Sequence, residues 1–305
     1  MTDIAARFQG VFTALVTPFK DGAVDYAAFD RLVERQIAAG VAGLVPVGTT
    51  GEAATLSDEE ADALIARTVR LSAGRVLVMA GAGANDTRKT LEKVSAAERA
   101  GADALLLVTP YYNKPTQAGL IAHYSAAAGA TALPIMLYSV PGRCGVEIAP
   151  ETCATLMQRH SNIVAIKEAG GSSARVTQLR QACGDSLIVH SGDDGLTLPF
   201  LSVGAAGVTS VVANIAPCEM VQLVNAFRAG DTPRALLLHE MIAELTEGMF
   251  IESNPGPVKA ALALSNLAGP EMRLPLVPVS DANRERLAAI LNRFGSAAST
   301  FQEMR

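Results

Sequence analysis

Gly10-Val11-Phe12-Thr13-Ala14-Leu15-Val16-Thr17-Pro18-Phe19-Lys20-Asp21-Gly22 is the stretch that decides between two α/β folds. Its first eight residues form a near-continuous apolar and β-branched run, as expected for a strand covered on both faces of a parallel sheet. A doubly wound sheet would follow such a strand with a glycine-rich turn that cradles a phosphate. Here the turn is Thr17-Pro18-Phe19-Lys20-Asp21-Gly22, which lacks those glycines. Seven similar runs follow, at residues 43–47, 76–80, 104–108, 134–138, 163–167, 187–190 and 207–212. Amphipathic helical patterns lie between them, for example at 25–39, 57–72, 87–100 and 117–130. Ser57-Asp58-Glu59-Glu60 is a capping box that starts one of these helices at a defined residue.

Eight strand–helix units predict an α/β fold, a (β/α)8 TIM barrel. The barrel is expected over residues 1–214. A C-terminal helical region follows over 215–305, with helices at 234–249, 258–267 and 281–293. At 305 residues, half of them hydrophobic, the chain is long and apolar enough to bury a large core. The net charge of −5, 5% aromatics and absence of Trp argue against a nucleic-acid surface, which needs clustered basic side chains and stacking rings. No apolar run reaches the length of a membrane span, and the first residues lack a basic segment followed by an apolar one. Cys144, Cys153, Cys183 and Cys218 have no CxxC spacing and no neighbouring His, so free thiols are expected and zinc is not. A soluble cytoplasmic protein follows as the expectation.

Barrel enzymes carry their reactive groups where the strands end and the following loops begin. Lys167 ends the sixth run, Ile163-Val164-Ala165-Ile166, and the period of two places it on one face with Ile163 and Ala165. If that face is the interior, loss of solvent favours the neutral amine, which attacks a keto carbonyl to form a Schiff base. The alternative is a lysine whose head snorkels to water. Tyr138 ends the fifth run, where its hydroxyl is placed to shuttle a proton; a structural half-buried Tyr is the competing reading. Thr49 and Thr50 follow Gly48 in a turn whose amides and hydroxyls suit a carboxylate, or simply cap the next helix.

Arg143, after Pro141-Gly142, offers a guanidinium for a second carboxylate, against the plainer reading of a surface Arg. Asp193-Asp194 reads as turn-capping rather than as a metal pair. Gly81-Ala82-Gly83 is too short a signal for a nucleotide loop, and His123, His160, His190 and His239 form no constellation and read as structural or surface residues.

These residues resemble the pyruvate-dependent class I aldolase family typified by dihydrodipicolinate synthase and N-acetylneuraminate lyase. The matching segments are Gly48 to Glu52, Tyr111-Tyr112-Asn113-Lys114-Pro115, Tyr138 to Gly145, Ile166-Lys167-Glu168, Ser191-Gly192-Asp193-Asp194 and Glu252 to Lys259, in the family's order. Thr49-Thr50 and Arg143 resemble the synthase branch. The resemblance implies that Lys167 forms an imine with pyruvate and that Thr50 holds the pyruvate carboxylate. It implies a proton relay of Tyr138, Thr49 and Tyr112, with Tyr112 reaching in from a neighbouring subunit. Arg143 would bind the carboxylate of aspartate β-semialdehyde, and Gly192 and Thr209 match positions that line the pyruvate pocket.

The product implied is 4-hydroxy-tetrahydrodipicolinate, on the route to lysine and diaminopimelate, made with neither metal nor organic cofactor by a homotetramer. The alternative is a Schiff-base aldolase acting on another 2-keto acid, of deoxy sugar acid, N-acetylneuraminate or hydroxyoxoglutarate type; Arg143 favours the short carboxylate-bearing aldehyde. The chain departs from the family at Ser139, commonly Asn, and at Gly256, commonly apolar. A lysine-feedback pocket is matched at Asn85 and Tyr111 but not at Ala53, Asp58, Ala61 and Lys89. Lys89 would repel a cationic effector, so weak or absent inhibition by lysine is expected.

Overall fold

A computed structural model describes residues 4–303. Residues 1–3, part of the segment read above as carrying no leader, lie outside the described residues. The eight predicted runs all become strands: β1 (Gly10–Ala14), β2 (Gly43–Val45), β3 (Leu77–Gly81), β4 (Ala104–Val108), β5 (Ile135–Ser139), β6 (Ile163–Glu168), β7 (Ile188–Ser191) and β8 (Gly207–Ser210). Each pairs in parallel with its neighbours, and β8 and β2 both pair with β1, which closes the barrel. A helix follows each strand: α1 (Tyr26–Ala38), α2 (Asp58–Ser72), α3 (Thr87–Arg99), α4 (Gln117–Gly129), α5 (Pro150–Arg159), α6 (Ala174–Cys183), α7 (Thr197–Ser202) and α8 (Pro217–Arg228).

Alternate strand residues face two separate cores, the period-two consequence of a sheet buried on both sides. Inside the barrel lie Phe12, Val45, Met79, Leu106, Met136, Tyr138, Ala165 and Ile188, with Phe8 closing one end. Outside, Leu44, Leu105, Leu137, Ile166 and Val208 pack under the helices. Ile163 departs from the face predicted for it. The register slips between Ile135–Ile163 and Met136–Ala165, leaving Val164 as the extra residue of a bulge. Ile163 therefore packs outward, while Ala165 points inward with Lys167 two residues on.

Three strands end earlier than their apolar runs, two where a side chain takes the backbone groups and one at a proline. Beyond β1, the Asn214 side chain donates to the Ala14 carbonyl and accepts from the Val16 amide. Pro46 has no amide hydrogen to extend β2, and Val47 adopts φ 58°. Past β8, the buried Asp194 carboxylate accepts from the amides of Val211 and Val212. The helix start at Ser57 is as predicted: Ser57 Oγ accepts from the Glu60 amide and Glu60 Oε2 from the Ser57 amide.

α8 was not among the predicted helices. It begins on Pro217, whose missing amide hydrogen costs nothing in a first turn, and packs against β1. The three predicted C-terminal helices appear as α9 (Thr232–Gly248), α10 (Gly256–Leu264) and α11 (Asp281–Glu303), the last longer than expected. α9 packs on α8 and α11, and α10 on α11. No helix among the described residues is long and apolar enough to cross a membrane.

Candidate active site

Lys167 and Tyr138 are register partners on β6 and β5, so both side chains leave the sheet on the inner face at one level. Lys167 Nζ lies 4.2 Å from the centroid of the Tyr138 ring, and the two residues are 5% and 6% exposed. An amine in this position is stripped of most water yet faces the electron-rich ring that tolerates its charge. Tyr138 is itself clamped: its carbonyl accepts from both the amide and the hydroxyl of Thr109. Glu168, next along β6, turns to the outer face and pairs with Arg175 at 3.3 Å; burial pushes its carboxyl up, and it has no access to the site.

Above this pair opens a cavity of about 400 Å³, whose wall includes Thr49, Tyr138, Arg143, Cys144 and Asn254. Burial pushes the Cys144 thiol up to about 11, so at neutral pH it is an uncharged wall group and not a nucleophile. Asn254 was assigned no role from sequence, and the structure makes it the connector of the site. Its Nδ2 donates to Thr50 Oγ1 at 3.0 Å, and its main-chain carbonyl accepts from Arg143 Nη2 at 3.2 Å. Its own Oδ1 is buried with no hydrogen-bond partner among the described residues. Two of the predicted carboxylate-binding residues, from β2 and β5 loops, are thereby held by one residue just ahead of α10.

The Thr49-Thr50 turn is anchored a second time. Thr17 Oγ1 donates to the Gly51 carbonyl at 2.8 Å, and Glu52, at φ 54°, sends its carboxylate inward. Lys259 Nζ donates to Glu52 Oε1 at 2.5 Å and to the Thr17 carbonyl at 2.9 Å, and sits 4.3 Å from the Phe19 ring centroid. Burial holds the Lys259 amine below its usual range, while the Glu52 carboxylate pulls it back up. Neither residue carries a role that the sequence alone disclosed.

Gly192 lies just past β7, where a Cβ would stand 2.7 Å from Ala169 Cβ and 3.1 Å from both Lys167 Cε and the Glu168 carbonyl. Only a residue without a side chain leaves Lys167 its path. Thr209 on β8 is buried, and its hydroxyl meets His190 Nδ1 at 3.1 Å. Asp193 caps its turn through the Gly195 amide, and Asp194 holds the amides past β8, so both act as the turn-capping residues expected. Tyr112 does not join the site in a single chain: at φ 75° it is 90% exposed on the loop after β4. Tyr111 beside it lines the cavity, and its carbonyl accepts from Asn85.

A family model described as the dihydrodipicolinate synthetase family matches residues 7–294. The chain is 51% identical over 288 residues to a 4-hydroxy-tetrahydrodipicolinate synthase of Geotalea uraniireducens, covering 94% of this chain and 99% of that protein. Among solved structures, the 4-hydroxy-tetrahydrodipicolinate synthase of Methylacidiphilum fumariolicum superposes with a TM-score of 0.95 at 45% identity, covering 97% of this chain and 99% of that one. A dihydrodipicolinate synthase of Acinetobacter baumannii, solved with pyruvate, gives a TM-score of 0.92 at 45% identity, over 94% and 99% of the two chains.

Proposed function

The chain belongs to the dihydrodipicolinate synthetase family, and on that ground we propose that it condenses pyruvate with aspartate β-semialdehyde, through an imine on Lys167, to give 4-hydroxy-tetrahydrodipicolinate. The observation that carries this is the Lys167 amine, enclosed in the barrel and resting on the Tyr138 ring. Lys167 Nζ adds to the keto carbon of pyruvate, and the carbinolamine oxygen leaves as water once protonated. Tyr138, whose ring lies against Lys167, supplies that proton and takes one back in this reading. Loss of a proton from the pyruvate methyl gives the enamine, whose carbon attacks the aldehyde and leaves an alkoxide to be protonated.

The substrate's own amine then adds to the imine carbon, closing the ring and releasing Lys167. Thr50 and the amides of its turn hold the pyruvate carboxylate, while Arg143, at the cavity rim, takes the carboxylate of the aldehyde. Gly192 and Thr209 line the pyruvate end. Thr49 relays protons between Tyr138 and Tyr112. The exposure of Tyr112 suits a residue completing a neighbouring subunit's site; the homotetramer and the cytoplasmic setting are proposed from the family resemblance alone. Incubation with pyruvate and borohydride, read by intact mass, should add one reduced pyruvate to the wild type and none to Lys167→Ala. Absence of the adduct in the wild type, or turnover by the variant, overturns the assignment.

A further inference from the structure

His190 lies fully buried on β7, between Lys167 on β6 and Gly207 on β8, with its ring edge-on to Phe12 at 5.0 Å. Its hydrogen bonds determine where its proton sits. Nε2 is 2.5 Å from the Phe8 carbonyl, which only accepts, so Nε2 carries the hydrogen. Nδ1 is then a lone pair, and Thr209 Oγ1, 3.1 Å away, must donate to it. Burial keeps the ring neutral, and the nearby Lys167 charge adds to that. A threonine hydroxyl has a single hydrogen, and here it is spent on His190.

We propose that His190 is a positioning residue: by taking the hydroxyl hydrogen of Thr209 it leaves Thr209 Oγ1 with only lone pairs to present at the pyruvate end of the site. Thr209 lies two residues past Gly207, the register partner of His190, and so on the same inner face. An acceptor fixed there receives the iminium N–H once pyruvate is joined to Lys167, whereas a hydroxyl hydrogen in the same place would meet it donor to donor. Left to rotate, the hydroxyl would point its hydrogen into the site for part of the time and oppose the developing positive charge. The assignment rests on the condensation chemistry proposed above and specifies one part of it.

The test uses the full-length protein carrying His190→Leu, Thr209→Val, both together, and His190→Asn, which keeps an acceptor near the place of Nδ1. Each is titrated with pyruvate in the borohydride trap and in steady state, with circular dichroism to confirm folding. His190→Leu and Thr209→Val should each raise the pyruvate concentration for half-trapping by about tenfold, leaving the KM for the semialdehyde within about twofold. The double variant should be no worse than either single one, and His190→Asn should recover most of the loss. Additive losses, equal effects on both substrates, or native pyruvate dependence in His190→Leu would overturn the proposal. If His190→Leu fails to fold, Thr209→Val and His190→Asn decide it alone: native trapping in the first or full loss in the second rejects it. A wild type that traps no pyruvate would instead reject the condensation chemistry itself.

Discussion

Lys259 Nζ stands 2.5 Å from Glu52 Oε1, joining α10 to the turn that carries Thr49 and Thr50. Both side chains are out of water, so neither charge has solvent to fall back on. Lys259→Met removes one partner and strands the other. The expected loss is about 3–5 kcal/mol of unfolding free energy, seen as a lower urea midpoint. A midpoint within error of the wild type would mean that the pair contributes nothing to holding this turn.

Tyr138→Phe keeps the ring beneath Lys167 and removes only the hydroxyl. The rate should fall by about 10²–10⁴-fold, the usual worth of a positioned proton donor, with stability nearly unchanged. Steady-state kinetics beside thermal melting will separate the two. A small rate change would move the proton transfers to another group.

At Gly192 the prediction is steric. Gly192→Ala brings a Cβ to 3.1 Å from Lys167 Cε and from the backbone of Glu168. The lysine must shift, and a misplaced nucleophile should cost about 100-fold in turnover. Accommodation elsewhere should cost about 1–3 kcal/mol in stability. Borohydride trapping that proceeds at the native rate would show that Lys167 has room to spare.

His190 makes stability depend on acidity. Burial first, and the Lys167 charge as well, lower its pKa to about 4 against the Phe8 carbonyl's opposite pull. In the unfolded chain a histidine titrates near about 6.5. The folded state therefore binds fewer protons, so this contribution is complete above about pH 6.5 and is lost as pH falls toward 4. Its ceiling is roughly 3 kcal/mol. Urea unfolding at pH 7 and pH 4.5 should show a steeper loss in the wild type than in His190→Leu; parallel losses would refute this.

Lysine should inhibit weakly or not at all. Asp58 is already engaged with Lys93 at 3.4 Å, Ala61 offers no polar group, and Lys89 adds a cation at the exposed start of α3. An initial-rate titration with half-inhibition at sub-millimolar lysine would contradict the expectation.

The strands were legible because a sheet covered on both faces demands unbroken apolar runs, and each such run became one strand. The ends of β1 and β8 were not, since the groups that terminate them are side chains from other parts of the sequence. Asn214 stops β1 from 200 residues away, and Asp194 stops β8. Lys167 and Tyr138 could be found because a reactive group at the end of a strand stands out against its apolar neighbours. Asn254, Glu52 and Lys259 were hidden for the opposite reason: their meaning lies only in partners about two hundred positions distant. The bulge at Val164 shows the limit of counting by twos, for one inserted residue turned Ile163 outward while Lys167 stayed inward.

The two bonds that join Asn254 to Thr50 and Arg143 also link parts of the chain made at different times. Both clients emerge long before the residue that joins them, so a nascent chain that has already closed its eight strands still lacks the brace across its mouth.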